Sequence, residues 1–316
     1  MNAQFGSRCV LISLIMYSCT SCQKSEAELE HIALHDPDPM RQRDAVCLRM
    51  SEETLTRIYY ASTNLHVRSA CVAYIDSVET LRKIAQDKTH SDVARGDAIL
   101  KLNDRALARQ IMSDLTDNSR GEAIKLLSPD EDEDLIKSVA FNKNENRMLR
   151  SVAIFRMKDQ VAIKGFLETE TDIQIRLAAA SALTDSKLNE EMFYKEKNRE
   201  VRMRMAISQN DENVLKKILR SETEETVRGC VVINIKDQDF LKKILNESSN
   251  TYEMIAAIKN IKDMETIEIQ AESNKDPSVR QTAVEIITNR EILKKIAESD
   301  PVDFVRIEAS RRLRKL

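Results

Sequence analysis

The segment Asp276–Leu313 reads DPSVRQTAVEIITNREILKKIAESDPVDFVRIEASRRL. It contains one pattern twice: a Val-Arg pair, an alanine three residues after the arginine, and an aliphatic residue four residues after the alanine. The two copies place these residues at Arg280, Ala283 and Ile287, and at Arg306, Ala309 and Leu313. Because residues three and four apart lie on one face of an α-helix, each copy predicts a short helix with one apolar stripe.

The same pattern recurs along almost the whole chain, with a period of about 26 residues. A leucine or isoleucine starts each period, at Leu29, Leu55, Leu81, Leu107, Leu135, Ile163, Leu188, Leu215, Leu241, Ile267 and Leu293. The group Leu-x-x-Ile-Ala predicts a first helix, and the Val-Arg pattern predicts a second. A helix of roughly nine residues is not stable alone, so stacked pairs must cover each other's apolar stripes. The sequence therefore predicts an all-α solenoid of about eleven two-helix repeats over residues 28–316.

The composition of the chain agrees with this fold. Only five glycines and five prolines occur among 316 residues, which argues against the many tight turns of an all-β fold. Asp or Asn residues between the second helix of one repeat and the first helix of the next predict N-caps. These residues are Asp76, Asp104, Asp159, Asp185, Asp211, Asp237, Asp263 and Asn289.

A basic residue recurs near the start of the second helix. We interpret it as a structural ladder formed by Arg68, Arg95, Arg150, Arg176, Arg202, Arg228, Arg280 and Arg306. Each arginine is expected to bind a carbonyl of the adjoining turn or an acidic residue two to four positions before it, and those acidic residues are Asp92, Asp172, Glu200, Asp276 and Asp303. The alternative is a basic stripe that binds phosphates. Acidic residues are interleaved throughout and the net charge is -3, so no nucleic-acid partner is predicted.

The pattern Leu-x-x-Ile-Ala-x-x-Asp, followed by Val-Arg-x-x-Ala-x-x-x-Leu, resembles HEAT repeats. It is nearest to the short bacterial type and is similar to the leucine-rich-repeat variant. The resemblance covers residues 26–316 and implies that a turn aspartate and the second-helix arginine form a ladder. It also implies that the second helices line the concave side. It is specific for architecture and carries almost no information about function.

Three departures from the repeat predict local irregularities. Tyr252 and Glu253 stand in place of Val-Arg, so the ladder is expected to break there. Gln209 occupies an apolar end position, which predicts loose packing. An insertion places five successive carboxylates at Asp130–Asp134. A solvated acidic loop is favoured over a calcium site because the segment lacks the glycine and spaced ligands of calcium loops.

The first 22 residues, MNAQFGSRCVLISLIMYSCTSC, predict a targeting segment rather than part of the fold. Arg8 precedes an apolar run, Cys9–Tyr17, that fits the core of a secretory signal peptide and is too short to span a bilayer. Its end resembles a bacterial lipoprotein signal, with Cys19 as the lipidated residue and Cys22 as the alternative. A buried N-terminal helix is the other interpretation, which Arg8 and the Ser/Thr/Cys cluster disfavour. Residues 23–27 are expected to be a short linker.

The remaining cysteines and histidines give no catalytic set. Cys47 and Cys71 lie at similar places in adjacent repeats, so a disulfide is an alternative to two core thiols. His31 and His35 share one helix face, but no third metal ligand is indicated. The chain has neither the His-Glu pairs of proteins that resemble deoxyhypusine hydroxylase nor the basic groove with aromatics of HEAT-like DNA glycosylases. We therefore predict no enzyme activity, no metal and no cofactor.

These observations together predict a lipid-anchored scaffold of the bacterial cell envelope. It is expected to be exported, to be tethered to the membrane by its lipid, and to bind another protein through exposed positions such as Gln281, Glu285 and Thr288. One alternative is a HEAT-like enzyme or enzyme-maturation factor similar to bilin lyases. Another is a spacer without one tight partner.

Overall fold

The computed structural model describes residues 24–89, 93–115 and 117–316, and these residues form 22 α-helices, one short 3-10 helix and no strand. In chain order the helices are α1 (Glu26–His35), α2 (Pro39–Ala45), α3 (Glu52–Ala61), α4 (Leu65–Tyr74), α5 (Val78–Gln86), α6 (Val93–Leu102), α7 (Arg105–Ser113), α8 (Arg120–Ala123), the 3-10 helix (Ile124–Leu126), α9 (Glu133–Phe141), α10 (Arg147–Arg156), α11 (Gln160–Thr169), α12 (Ile173–Ala182), α13 (Ser186–Lys195), α14 (Arg199–Ser208), α15 (Glu212–Ser221), α16 (Glu225–Val232), α17 (Gln238–Glu247), α18 (Thr251–Asn260), α19 (Met264–Ser273), α20 (Pro277–Val284), α21 (Arg290–Ser299) and α22 (Asp303–Lys315). Odd-numbered helices are the first helices of the repeats, and even-numbered helices are the second helices.

The helices form two compact units, one ending at Asp132 and the other covering Glu133–Leu316. The first unit holds the pairs from α1 to α8, and the second holds the pairs from α9 to α22. Within each unit a helix packs on its own partner and on the corresponding helices of the neighbouring pairs. This arrangement confirms the predicted all-α solenoid class. In the second unit the second helices pack more closely on one another than the first helices do, so they form the tighter layer.

Small or apolar residues three positions after the ladder position allow this close packing. Their exposed fraction is 0% at Cys71, Ala98, Ala153, Ala179, Met205, Val231, Ala257, Ala283 and Ala309. An alanine at such a site lets two helix backbones approach closely, and its burial contributes to the apolar core. The predicted one-sided apolar stripe is therefore the core of each unit.

Side-chain caps explain where most helices begin. Asp104, Asp159, Asp185, Asp211, Asp237 and Asn289 each accept backbone N–H groups at the predicted N-cap position. The prediction for Asp76 is wrong, because Ser77 caps α5 and Asp76 instead accepts from Lys101. Asp263 stands at its N-cap position, but its carboxylate accepts from the Thr266 hydroxyl rather than from a backbone N–H.

The N-terminal predictions are mostly untested by the fold. Met1–Cys22, including Cys19 and Cys22, lies outside the described residues. Glu26 and Ala27, the last two residues of the predicted linker over residues 23–27, belong to α1. Ser25 caps this helix and Glu28 completes a capping box with it. None of the described helices combines the length and hydrophobicity that a membrane crossing requires.

Cys47, Cys71 and Cys230 are free thiols, so the alternative of a Cys47–Cys71 disulfide is wrong. Cys71 is fully buried, and burial raises the pKa of its thiol to about 12. Burial also raises the pKa of Cys230. Both side chains behave as small apolar core residues, which is the interpretation that the sequence favoured.

Candidate interaction surface

The arginine row of the second unit is a ladder, but most of its acidic partners are not the predicted ones. Arg150 donates to Glu170 at 2.6 Å and to the Ala140 carbonyl at 3.0 Å. Arg280 pairs with Asp300 at 2.8 and 2.9 Å and donates to the carbonyl of Asn274 at 2.8 Å. Each carboxylate therefore comes from the next repeat and lies about 20 residues after its arginine.

These acidic partners share one place in the repeat, the residue that follows the first helix. Glu170, Glu196, Glu222 and Asp300 occupy this C-cap position and bind Arg150, Arg176, Arg202 and Arg280, respectively. The predicted partners Asp172 and Asp276 are N-caps of the second helices instead. In the second unit, Arg306 pairs with an acidic residue shortly before it, Asp303, as predicted. Asp92 lies outside the described residues.

The first unit contains a related buried pair. Arg95 binds both oxygens of Asp117 at 2.7 Å and donates to the Ala85 carbonyl at 2.9 Å and to the Ser119 hydroxyl at 2.9 Å. The side chains of Arg95 and Asp117 are only 2% and 1% exposed. Arg68 lies on α4 and is half-buried. The ladder position thus serves packing in this unit as well.

The electrostatics of two ladder carboxylates, Glu170 and Asp300, agree with their ion pairs. The Arg150 hydrogen bond holds the pKa of Glu170 below its usual range, although burial opposes this effect. Burial raises the pKa of Asp300, but the bonds from Arg280 and the Val302 N–H outweigh it, so the net pKa is lowered. A guanidinium already bound to a buried carboxylate offers little to a phosphate. The geometry therefore supports the structural interpretation of the row over the phosphate-binding one.

A second row of ion pairs runs along the first helices. A basic residue in the middle of one first helix binds the N-cap aspartate of the next, as in Lys137–Asp159, Lys216–Asp237 and Lys242–Asp263, each at 2.6 Å. Arg109 binds Asp132 at 2.5 Å in the same manner. These pairs link successive first helices and neutralise the charges of the residues that form them.

The acidic insertion Asp130–Asp134 is only partly the solvated loop that the sequence favoured. Asp132 is buried, binds Arg109 and accepts the Ser128 N–H at 2.7 Å. Glu131 pairs with Arg105 at 2.5 Å. The two rings of His31 and His35 lie 4.9 Å apart. Across the described ranges no three His, Cys, Asp or Glu side chains are arranged to hold a metal ion.

The prediction that Gln209 packs loosely is wrong. Its exposed fraction is 1%, and its amide donates to the Ser186 carbonyl at 3.0 Å and to the Asn189 side chain at 3.3 Å. Its carbonyl oxygen accepts from the Ser186 hydroxyl and from the Asp211 N–H. Asn189 in turn donates to two backbone carbonyls. Because every polar group is satisfied, this buried pair is compatible with a well-packed core.

The irregularity at residue 253 is real but shifted by one residue. The ladder arginine stands four residues after the N-cap, as in Asn198 and Arg202, so after the N-cap Asn250 its place is taken by Met254. Glu253 occupies the buried position of the preceding valine and pairs with Arg228. Arg228 therefore keeps a carboxylate partner, and the ladder breaks at Met254, one residue after the expected position.

The second helices from α10 to α18 leave apolar side chains exposed or half-buried. We call them the apolar strip, and they are Phe155, Leu177, Met203, Ile207, Ile233, Tyr252 and Ile255. Leu177, Met203 and Ile255 follow the ladder position directly, whereas Phe155, Ile207 and Ile233 lie five residues after it. Equivalent positions of stacked repeats lie side by side, so these residues lie on one side of the layer of second helices.

The strip is exposed enough to contact a partner and carries few charges. Phe155, Ile207, Ile233 and Tyr252 are 57%, 41%, 48% and 50% exposed. The exposed charged residues on α14 and α18 beside it are of both signs, namely Arg199, Glu200, Arg204 and Lys259. Tyr252 covers Gly229, where an added Cβ would lie 2.5 Å from the Tyr252 Cβ. A side chain at 229 would therefore push the tyrosine off the neighbouring helix.

The predicted contact residues lie beyond this strip. Glu285 and Thr288 are exposed and Gln281 is half-buried, but all three belong to the repeat after α18 and are polar. Sequence reasoning missed the strip because it treated exposed positions as polar. The signal was present, since apolar residues recur directly after the ladder position and five residues after it.

A groove of about 270 Å³ lies near the end of the second unit. It is lined by charged residues that pair with each other, Arg280 with Asp300 and Lys295 with Glu272. This pairing favours a structural role for the groove rather than a ligand site.

No family model matches the chain, and no curated protein matches it.

Proposed function

We propose that this protein is a non-catalytic scaffold of HEAT-like repeats that binds another protein through the apolar strip. The observation that carries the proposal is the recurrence of exposed or half-buried apolar residues at a few equivalent places on the second helices, from Phe155 to Ile255. Contiguous exposed apolar surface of this kind marks interaction sites in soluble proteins.

The chemistry of the surface indicates the class of partner. The ladder arginines and Lys137, Lys216 and Lys242 of the first helices are held in ion pairs, whereas the strip offers Ile, Leu, Met, Phe and Tyr side chains. Aromatic residues and methionine are enriched at protein–protein interfaces. The proposed partner therefore presents an apolar segment, and nucleic acid is not proposed.

The proposed location is the bacterial cell envelope, with Cys19 as the lipidated residue and Cys22 as the alternative. The support is the charged, apolar and small-residue order of Met1–Cys22. One lipid chain binds membranes only marginally, so the anchor would need more than one acyl chain. Metabolic labelling with a fatty acid, compared between the wild type and Cys19→Ala with Cys22→Ala, tests this part. Recovery of unlabelled protein with Met1 intact in the cytoplasm would contradict it.

The binding proposal is tested with charges placed in the strip. Ile207→Glu with Ile233→Glu should abolish crosslinking to the partner in intact envelopes, identified by mass spectrometry. The matched control is Val161→Glu with Ile269→Glu, because these residues are 70% and 52% exposed on the first helices α11 and α19. Circular dichroism should show that both double variants are folded.

The control pair should retain the wild-type crosslinks. Equal crosslinking by the strip variant and the wild type would overturn the assignment of the surface. A chromophore or metal that copurifies with the wild-type protein would instead support the alternative of an enzyme-maturation factor.

A further inference from the structure

A step of the ladder is the contact between the ladder arginine of one repeat and the carboxylate of the next. One step in the second unit lacks both members of this ion pair. Met254 occupies the arginine position of α18, and Asn274 occupies the acidic C-cap position after α19. The amide of Asn274 lies 3.8 Å from the Met254 sulfur and donates to the Gln270 side chain at 2.6 Å. The two replacements match, since a neutral residue faces a neutral residue.

The steps on either side are held by charged contacts. Arg228 pairs with Glu253, and Arg280 pairs with Asp300 through two hydrogen bonds. The guanidinium group fixes the orientation of a carboxylate because it donates from a rigid planar fork. A methionine sulfur is a weak acceptor on a flexible side chain. The step between α18 and α19 therefore lacks the directional contact that its neighbours have.

Other polar contacts at this step do not replace the missing one. Lys242 and Asp263 pair at 2.6 Å, but their side chains are 42% and 39% exposed, so the pair contributes little. The Gln238 side chain accepts from the Lys262 N–H at 2.9 Å, and the Thr251 hydroxyl binds Asp276. These contacts lie near the ends of the helices.

We propose that the step between α18 and α19 is a hinge, about which the last two repeats, α19 to α22, open as one unit. The apolar contacts between α18 and α20 keep the closed arrangement. Because this step has no arginine–carboxylate pair, the repeats before and after it can change their relative angle without breaking a buried ion pair. Because Tyr252 and Ile255 lie on the near side of the hinge, its motion changes the surroundings of one end of the strip.

The hinge is tested by hydrogen exchange with mass spectrometry on the full chain. The amide hydrogens of terminal repeats exchange faster than those of central repeats in any stack. Fast exchange at the end of the chain is therefore not evidence for a hinge, and the test is whether variants change it. Met254→Arg with Asn274→Glu introduces the missing arginine–carboxylate pair. It should slow amide hydrogen exchange in α19 and α20 about tenfold, which corresponds to the contribution of one charge-assisted hydrogen bond. Unchanged exchange there in a folded variant would overturn the proposal.

A transplanted break provides the matched experiment. Arg202→Met with Glu222→Asn copies the Met254–Asn274 pair to the step between α14 and α15. Both partners change together, so no unpaired buried charge remains. Exchange in α15 and α16 should then rise about tenfold, with the earlier helices α11 and α12 unchanged. An unaltered exchange profile would overturn the proposal even if the first variant failed to fold.

Discussion

Two neighbouring parts of the second unit hold a ladder arginine in different ways. Between α20 and α21 the regular arrangement is present, and Arg280 binds Asp300 at the end of the next first helix. Between α16 and α18 that C-cap position is Ser248, and the carboxylate comes from Glu253 inside the second helix. Ser248 donates to Glu253 at 2.8 Å. The fold therefore requires a carboxylate beside the arginine, but it accepts one from more than one position.

The regular step gives the largest expected effect. Arg280→Met should lower the free energy of unfolding by about 3 kcal/mol, because it leaves the Asp300 carboxylate buried without its cation. The side chains of Arg280 and Asp300 are 8% and 4% exposed. Urea denaturation followed by circular dichroism measures the change.

The matched variant combines Arg280→Met with Asp300→Asn, which reproduces the natural Met254–Asn274 pair. It should recover most of the loss, since no unpaired charge remains. If the single and double variants were equally destabilised, the ion pair would not be the source of the effect.

The irregular step gives the next largest effect. Glu253→Val restores the residue type of the regular repeats but removes the carboxylate from Arg228. We expect a loss of about 2 kcal/mol, less than at Arg280, because the side chain of Arg228 is 27% exposed to solvent.

The rescue variant moves the acid to its regular place. Glu253→Val with Ser248→Glu should regain most of the stability in the same urea titration, because position 248 is the C-cap that carries glutamate in three preceding repeats. If Glu253→Val with Ser248→Gln regained as much stability as Glu253→Val with Ser248→Glu, a charge at position 248 would not be required.

Acid should weaken the regular steps and the Lys164–Glu191 pair. Hydrogen bonds from Lys164 and Lys195 lower the pKa of Glu191 from 4.5 to about 2, and the pKa values of Glu170 and Asp300 are also lowered. A lowered pKa means that the folded state binds fewer protons than the unfolded state at pH 3 to 4. The stabilisation is therefore complete above about pH 5 and is lost as the pH falls towards 2.

Thermal unfolding midpoints between pH 7 and 2 measure this loss. The double variant Arg280→Met with Asp300→Asn should show a shallower decline than the wild type, because one lowered carboxylate is gone. Identical profiles would contradict a contribution from Asp300.

The fold was predictable from the sequence because the same pattern occurs in many repeats. The apolar stripe and the small residue three positions after the arginine recur in nearly every period, so one misread copy does not change the architecture. The ladder itself was also predicted, since the arginine recurs at Arg150, Arg176 and Arg202 with a spacing of 26 residues. Periodicity is local information, and an α-solenoid is built from local contacts.

The partners of the ladder were not predictable in the same way. Sequence proximity favoured Asp172 for Arg176, whereas the stacked helices bring Glu196 beside it. The shift at Glu253 was hidden because the arginine spacing alone allows intervals of 25 and 27 residues. Counting four residues from the N-cap Asn250 would have placed Met254 correctly. The strip was missed because exposure depends on the packing of neighbouring helices.

The smallest expected effect separates helix capping from the ladder. Asn289 caps α21 and accepts the Glu291 N–H at 3.1 Å and the Ile292 N–H at 3.4 Å. Asn289→Ala should cost about 1 kcal/mol, because the first-turn N–H groups lose an acceptor. Asn289→Asp keeps the acceptor and should remain close to wild type in thermal unfolding. Since α21 also supplies Asp300 to Arg280, a loss as large as that of Arg280→Met would mean that the cap holds the whole helix in register.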